Sequence, residues 1–290
     1  MKKVIATPSR TKEILETYQL FAKKNYGQNF LVEPGIVEKI ARLAVISDHC
    51  AVFEIGPGIG ALTQFLAEYA KEVTAFEIDD RLIPVLADTL QDQKNVTVIH
   101  GDFLEQDISM LMQTKQRQGL DVVVAANLPY YITTPILFKL FESPVAFQAI
   151  TVMMQKEVAD RFAAVPNTKE YNALSVLTQY RCHVKQLMKI PTEVFQPRPA
   201  VESAVVQFTF KPQRELQAGA EPQFYEMVKA CFKQRRKTIL NNYGEYCGDK
   251  QLARDILAAA DIDAGIRAEA LTLDRYLTLF SVQQERGLSK

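Results

Sequence analysis

From Ala51 to Phe210 the chain repeats one unit: a short apolar run, a turn, then a stretch with helical periodicity. Ala51–Ile55, Glu72–Ile78, Val96–His100, Val122–Ala126 and Phe147–Gln155 read as strands, and Ser203–Phe210 as the last of them. Helices are expected at 61–70, 80–90, near 134–142 and at 155–163. Runs such as Val122-Val123-Val124-Ala125-Ala126 are apolar on every residue, as in strands covered on both faces. Strands that alternate with helices need crossover connections. The expected fold class is therefore α/β, Rossmann-like, with a mostly parallel, doubly wound sheet. Open sheets of this kind bind ligands outside the carboxyl ends of their strands.

The flanks differ from this body. Residues 12–23 have the spacing of an amphipathic helix, with Ile14, Leu15, Tyr18 and Phe21 on one face and Lys23-Lys24 at its end. A polar-aromatic loop, Asn25-Tyr26-Gly27-Gln28-Asn29-Phe30-Leu31, leads to a second helix over 34–44 with Pro34 in its first turn. After Lys211-Pro212, residues 213–222 are polar and contain Gly and Pro, and residues 223–283 show only helical periodicity. The expected division is a catalytic domain at 1–212, with an N-terminal helical extension, and a small all-α domain at 213–290.

Composition narrows the function classes. Of 290 residues, 48% are hydrophobic, which supports a sizeable core, and the formal net charge is zero. A bulk polycation is excluded, so any contact with nucleic acid must rest on local charge. Residues 1–30 carry six Lys/Arg against two acids, +4, and residues 211–290 carry thirteen against eleven, +2, which leaves −6 for the middle. The sharpest basic cluster is Lys233-Gln234-Arg235-Arg236-Lys237, a pattern that also suits a solvated helix face. Cys50, Cys182, Cys231 and Cys247 form no Cys-x-x-Cys pair, so free thiols are expected and no metal. No apolar segment follows Lys2-Lys3, and no run approaches membrane-spanning length. A cytoplasmic protein without an obligate oligomer is expected.

The strand ends carry the chemistry. Gly56-Pro57-Gly58-Ile59-Gly60, between a strand and a helix, lets a ligand approach the backbone closely. Gly56, Gly58 and Ala61 also satisfy the dinucleotide pattern, so NAD must be weighed against S-adenosylmethionine (SAM). Pro57 removes an N–H that would cradle a pyrophosphate, which SAM lacks. Glu77, at the end of the second strand, suits the two ribose hydroxyls. Asp102, after the third, suits an adenine amine. Then comes Asn127-Leu128-Pro129-Tyr130. The exocyclic amine of adenine is a poor nucleophile because its lone pair is delocalised. The Asn127 side-chain oxygen and a neighbouring backbone carbonyl can accept its two N–H bonds and let the nitrogen become tetrahedral. Pro129 fixes the turn, and Tyr130 offers a face for a flipped base. A strand-ending turn with a core Tyr is the plainer alternative for such a short motif.

The motif set resembles the small-subunit ribosomal RNA adenine dimethyltransferase family, the kasugamycin-sensitivity enzymes that modify two adjacent adenines near the 3′ end of 16S RNA. The resemblance spans nearly the whole chain. It rests on Lys24–Leu31, Glu54–Gly60, Glu77-Ile78-Asp79, Gly101-Asp102, Asn127–Ile132, Gln155–Ala159, Phe195-Gln196-Pro197-Arg198-Pro199-Ala200-Val201-Glu202-Ser203 and Phe232–Lys237. It implies SAM as cofactor and 16S RNA in the 30S subunit or its precursor as partner. By the same resemblance Asn29 and Leu31 line the SAM site, Gly56 packs against the methionine moiety, Glu77 holds the ribose and Asp102 the adenine. Gly58 belongs to the same loop. Asn127 touches cofactor and target amine, while Tyr130 and Phe195 sandwich the flipped base. Lys233, Arg235, Arg236 and Lys237 hold RNA phosphates. The Phe195–Ser203 run and the helical 223–283 region fit this family better than the large-subunit adenine methyltransferases of macrolide resistance. A role as a small-subunit assembly factor is compatible with catalysis.

Overall fold

A computed structural model describes residues 3–20, 29–128, 132–143, 147–212, 215–217 and 219–287. Strands β2 (Cys50–Ile55), β3 (Glu72–Glu77), β4 (Val96–His100), β5 (Asp121–Asn127), β6 (Ala149–Gln155), β7 (Cys182–Ile190) and β9 (Ser203–Phe210) form a seven-stranded sheet in the order β4-β3-β2-β5-β6-β9-β7. Two further strands of two residues each, β1 (Phe30–Leu31) and β8 (Phe195–Gln196), pair antiparallel in a ribbon of their own. The five strands from β2 to β6 are parallel, and β9 runs antiparallel to β6. Every residue of β2 is buried, as expected of a strand with neighbours on both edges and helices on its faces.

The chain enters the sheet at β2, moves outward through β3 to β4, then returns to the other side of β2 as β5. The strand order therefore reverses between β2 and β5, and the crevice at their carboxyl ends is the position where such sheets take ligands. Helices α2 (Pro34–Ala44), α3 (Ala61–Tyr69), α4 (Ile83–Thr89), α5 (Ser109–Arg117) and α6 (Thr133–Glu142) accompany these strands. Strand β5 extends one residue beyond the expected run at each end, so Asn127 is its last residue.

The first helix, α1 (Pro8–Thr17), begins earlier than the sequence spacing predicts. Thr7 caps it by accepting the Arg10 N–H at 3.2 Å, and Pro8 supplies a preset first turn. It ends at Thr17, and Phe21, Lys23 and Lys24 lie outside the described residues.

The chain divides into two compact units, residues 1–159 with 185–210, and residues 160–184 with 211–290. The expected division at residue 212 leaves 160–184 in the first domain. The structure assigns this segment to the helical unit, which contains α8 (Ala173–Arg181), α9 (Glu221–Cys231), α10 (Ile239–Cys247), α11 (Lys250–Ala259) and α12 (Leu273–Glu285). The reason is in its side chains. Tyr171, Val176 and Tyr180 are buried in one cluster with Phe224, Met227 and Phe280. The Tyr171 hydroxyl donates to Leu271 O at 3.0 Å, and the Tyr180 hydroxyl to Glu221 at 3.1 Å. The first boundary along the chain falls within helix α7 (Lys156–Phe162). Among the described residues no helix is long and apolar enough to cross a membrane.

Candidate active site

A cavity of about 300 Å³ opens at the switch point between β2 and β5. The loops that follow β2, β3, β4 and β5 each contribute to its wall, because parallel strands all end on the same side. Asn29, Leu31, Gly56, Gly58, Glu77 and Asp102 line it, and so do Asn127, Leu128 and Phe195. Residues separated by more than 160 positions in the chain thus meet around one space. Pro129 and Tyr130, singled out from the sequence, lie outside the described residues.

The glycine loop is built against Glu77. Gly58 adopts φ +60°, and its N–H donates to Glu77 Oε2 at 3.2 Å. A side chain at Gly58 would be strained in that conformation and would also press on the Phe30 ring at 3.4 Å. Glu77 Oε1 accepts the Asp79 N–H at 2.9 Å. Burial pushes the Glu77 carboxyl up, against the Asp79 and Gly58 N–H groups that favour its ionised form. Gly56 has φ +69° with open space where a Cβ would stand, so the loop floor is bare backbone.

After β4, Asp102 Oδ1 accepts the Leu104 N–H at 2.8 Å, which leaves Oδ2 for a ligand. Phe103 packs edge-on to Phe76, with ring centroids 5.4 Å apart. Across the cavity, Phe30 and Leu31 of β1 pair with Gln196 and Phe195 of β8, and Val32 N–H donates to Val194 O at 2.9 Å. The N-terminal arm and the Phe195 loop are therefore one ribbon.

Sequence reasoning quoted Glu54 within a motif and assigned it no role. It lines the cavity, is 1% exposed, and its Oε2 has no hydrogen-bond partner among the described residues. Burial pushes its carboxyl up to about 8; the Thr63 hydroxyl acts in the opposite sense and the nearby Glu77 charge adds to the rise. Its position one residue before the strand end, pointing from a wholly buried strand, was the available signal.

The basic cluster has a different setting. Residues 232–237 are a turn between α9 and α10, not a helix face, and belong to the second unit. Lys233, Arg235, Arg236 and Lys237 are all exposed. Lys233 pairs with Glu245, and Arg235 with Glu269 at 3.2 Å. The buried Asn242 holds the turn from beneath, donating to Cys231 O at 2.8 Å and Gln234 O at 3.1 Å.

Comparison with known proteins settles the family. The model of the ribosomal RNA adenine dimethylase family matches residues 20–285. The chain belongs to the ribosomal RNA adenine dimethylase family. It is 46% identical over 289 residues to ribosomal RNA small subunit methyltransferase A of Bacillus pumilus, covering 98% of this chain and 99% of that one. The protein of the same name from Anoxybacillus flavithermus is 47% identical, with 96% of each chain covered. Among solved structures, a dimethyladenosine transferase from Plasmodium falciparum matches with TM-score 0.74 and 27% identity, over 89% of this chain and 98% of that one. The 23S rRNA methyltransferase ErmE shares the fold, with TM-score 0.69 and 24% identity, over 88% and 99%.

As a member of this family the chain is an adenine dimethyltransferase, and SAM is its methyl donor. The residues around the cavity fit that cofactor. Glu54, Glu77, Asp79 and Asp102 line it, and among the described lining residues there is no Lys or Arg. Such a wall offers a pyrophosphate no cation and suits a ligand with an amino group, a sulfonium, a diol and an adenine amine. The unpartnered Glu54 Oε2 is the buried acceptor that a cationic or N–H-bearing ligand would satisfy. The NAD alternative is set aside on this ground.

Proposed function

We propose that this chain methylates N6 of two adjacent adenosines, twice each, in the 3′-terminal hairpin loop of 16S ribosomal RNA. The substrate is the 30S subunit or its precursor, the enzyme acts in the cytoplasm as a monomer, and the reaction belongs to small-subunit biogenesis. The observation that carries this reading is the meeting of Asn127 with Glu77, Asp102 and Phe195 around one cavity at the switch point. The curated relatives, named as small-subunit methyltransferases and covered nearly end to end, support the choice of subunit.

Glu77 and Asp102 hold the cofactor by its ribose and adenine, with Asn29, Leu31 and Gly56 closing the site around it. The cofactor supplies an electrophilic methyl group on a sulfonium. Asn127 Oδ1 and the Leu128 or Pro129 carbonyl accept the two hydrogens of the target amine, which frees the nitrogen lone pair. Among the described residues the Asn127 side chain has no hydrogen-bond partner that would compete. As the nitrogen becomes tetrahedral, its proton turns acidic and leaves to solvent. Catalysis is then mainly orientation and electrostatics. Phe195 and Tyr130 stack on the flipped base, worth ~1–3 kcal/mol per base. Lys233, Arg235, Arg236 and Lys237 hold phosphates without reading sequence.

The test is radiolabelled methyl transfer to 30S subunits from a strain lacking the modification, with 50S subunits and DNA alongside. Label recovered as N6,N6-dimethyladenosine in 16S RNA alone is the expected outcome. Label in 23S RNA would move the substrate to the large subunit. A Glu77→Ala variant should lose transfer, and retained 30S binding in that variant would separate an assembly role from catalysis.

A further inference from the structure

Beyond β4 the chain makes a single tight turn. Glu105 N–H donates to Asp102 O at 3.0 Å, Gln106 N–H to Phe103 O at 3.3 Å, and Leu104 N–H to the Asp102 carboxylate. Of the carbonyls of Phe103, Leu104 and Gln106, only the first receives a backbone N–H among the described residues, at 3.3 Å. Lys139 supplies donors for them. Its Nζ lies 2.9 Å from Phe103 O, 2.6 Å from Leu104 O and 2.7 Å from Gln106 O. An ammonium has three N–H bonds, and here each finds a carbonyl. The same Nζ stands 5.5 Å from the centroid of the Phe103 ring.

Lys139 is half-buried on α6, one turn beyond Ile136. Ile136, Phe103 and Asp102 all line the cavity. Helix α6 is also the element that follows the Asn127-Leu128 strand end. One cation therefore ties the helix after the target-amine segment to the turn that carries Asp102. Nearby Asp107 has its carboxyl held below the usual range, first by Ser109 and then by the Lys139 charge. A lysine whose donors are all engaged by the carbonyls of one turn serves that turn's shape, not solubility.

We propose that Lys139 is a positioning residue for cofactor recognition: by clamping the carbonyls of Phe103, Leu104 and Gln106 it sets where the Asp102 carboxylate meets the adenine 6-amine. The proposal rests on the reading of Asp102 as the adenine acceptor. It predicts an effect confined to the purine. A ligand with a 6-oxo group gives Asp102 no amine to hold and meets its carboxylate with an acceptor, so a displaced Asp102 costs it no affinity.

The experiment measures binding of S-adenosylhomocysteine and S-inosylhomocysteine, which carries a 6-oxo group, to the full-length wild type and to Lys139→Met, Lys139→Gln and Asp102→Ala. The wild type should prefer the adenosyl ligand. Lys139→Met should bind it roughly tenfold more weakly, the scale of losing charged hydrogen bonds, with inosyl affinity almost unchanged. Under turnover, KM for SAM should rise more than kcat falls. Lys139→Gln keeps an N–H donor pair and should show the same narrowing, smaller, which covers the case in which Lys139→Met does not fold. Equal weakening of both ligands, or an undiminished preference in Lys139→Gln, would overturn the proposal. Preference lost in Asp102→Ala but kept in the Lys139 variants defeats the Lys139 proposal alone. Preference kept in Asp102→Ala defeats the Asp102 reading beneath it.

Discussion

At the scale of the residue, Glu54 has the most unusual chemistry in the molecule. A carboxyl held up to about 8 by burial is largely protonated at neutral pH, with an oxygen that no described group satisfies. The sign of its effect on stability follows from linkage. The folded state holds this proton more tightly than the unfolded chain, so Glu54 makes the ligand-free protein lose stability as pH rises from the ordinary carboxylate range toward 8. The loss is on the order of a few kcal/mol at most. A Glu54→Gln variant removes this proton exchange, and its melting temperature should fall less between pH 5 and pH 8 than that of the wild type. Parallel melting curves for the two proteins would show that Glu54 does not titrate in that window. The same substitution should weaken SAM binding, since a neutral amide replaces a group that can ionise beside a cation.

At the scale of the element, the ribbon of β1 and β8 joins two functions. Phe30 and Leu31 lie against the glycine loop and the cavity, and their partners Gln196 and Phe195 belong to the segment assigned to the target base. Phe195 is 5% exposed and part of the core cluster, so it both supports the ribbon and faces the cavity. Phe195→Ala should therefore cost stability, about 3 kcal/mol for a buried Phe. Phe195→Leu separates the two roles: it keeps apolar volume and loses the ring. Its melting temperature should stay near that of the wild type, while methyl transfer to 30S subunits falls by roughly tenfold or more, as expected when stacking is removed. Wild-type transfer by Phe195→Leu would remove Phe195 from base recognition. Neither short strand has a sequence signature, because two residues are too few to show a period, and their pairing depends on partners 164 and 166 positions apart. The main strands are different. Val96–His100 and Ser203–Phe210 match the expectation to the residue, since strands of 5 and 8 residues rich in β-branched and apolar side chains, bounded by turn residues, carry a local signal.

At the scale of the whole molecule, charge is distributed by unit. The basic turn of the helical unit presents Arg236 and Lys237 to solvent, whereas Lys233 and Arg235 already face Glu245 and Glu269. The Lys233 hydrogen bond and charge hold Glu245 below the usual carboxylate range. Replacing both Arg236 and Lys237 by Ala should weaken binding to 30S subunits and lower the salt dependence of log K by roughly two, one for each phosphate no longer neutralised, with SAM affinity unchanged. Glu245→Gln should act in the opposite direction by releasing Lys233. An unchanged salt slope in the double variant would mean that the turn does not touch phosphate.

The sequence alone did not determine the edge strand β7 or helices α5 and α8. It determined the five parallel strands, the mostly parallel sheet and the set of polar groups at the strand ends. These are local properties: an apolar run, a glycine loop and an acid at a fixed offset are legible without knowledge of any partner. Only the tertiary structure decided which unit takes residues 160–184, because an amphipathic helix shows that it must bury a face and not against what. Tyr171 and Tyr180 meet Leu271 and Glu221 only once the chain has folded. The raised carboxyl of Glu54 and the three carbonyls around Lys139 are of the same kind. A side chain's ionisation and its hydrogen-bond partners are set by burial and by neighbours distant in the chain, which no local pattern of residues encodes.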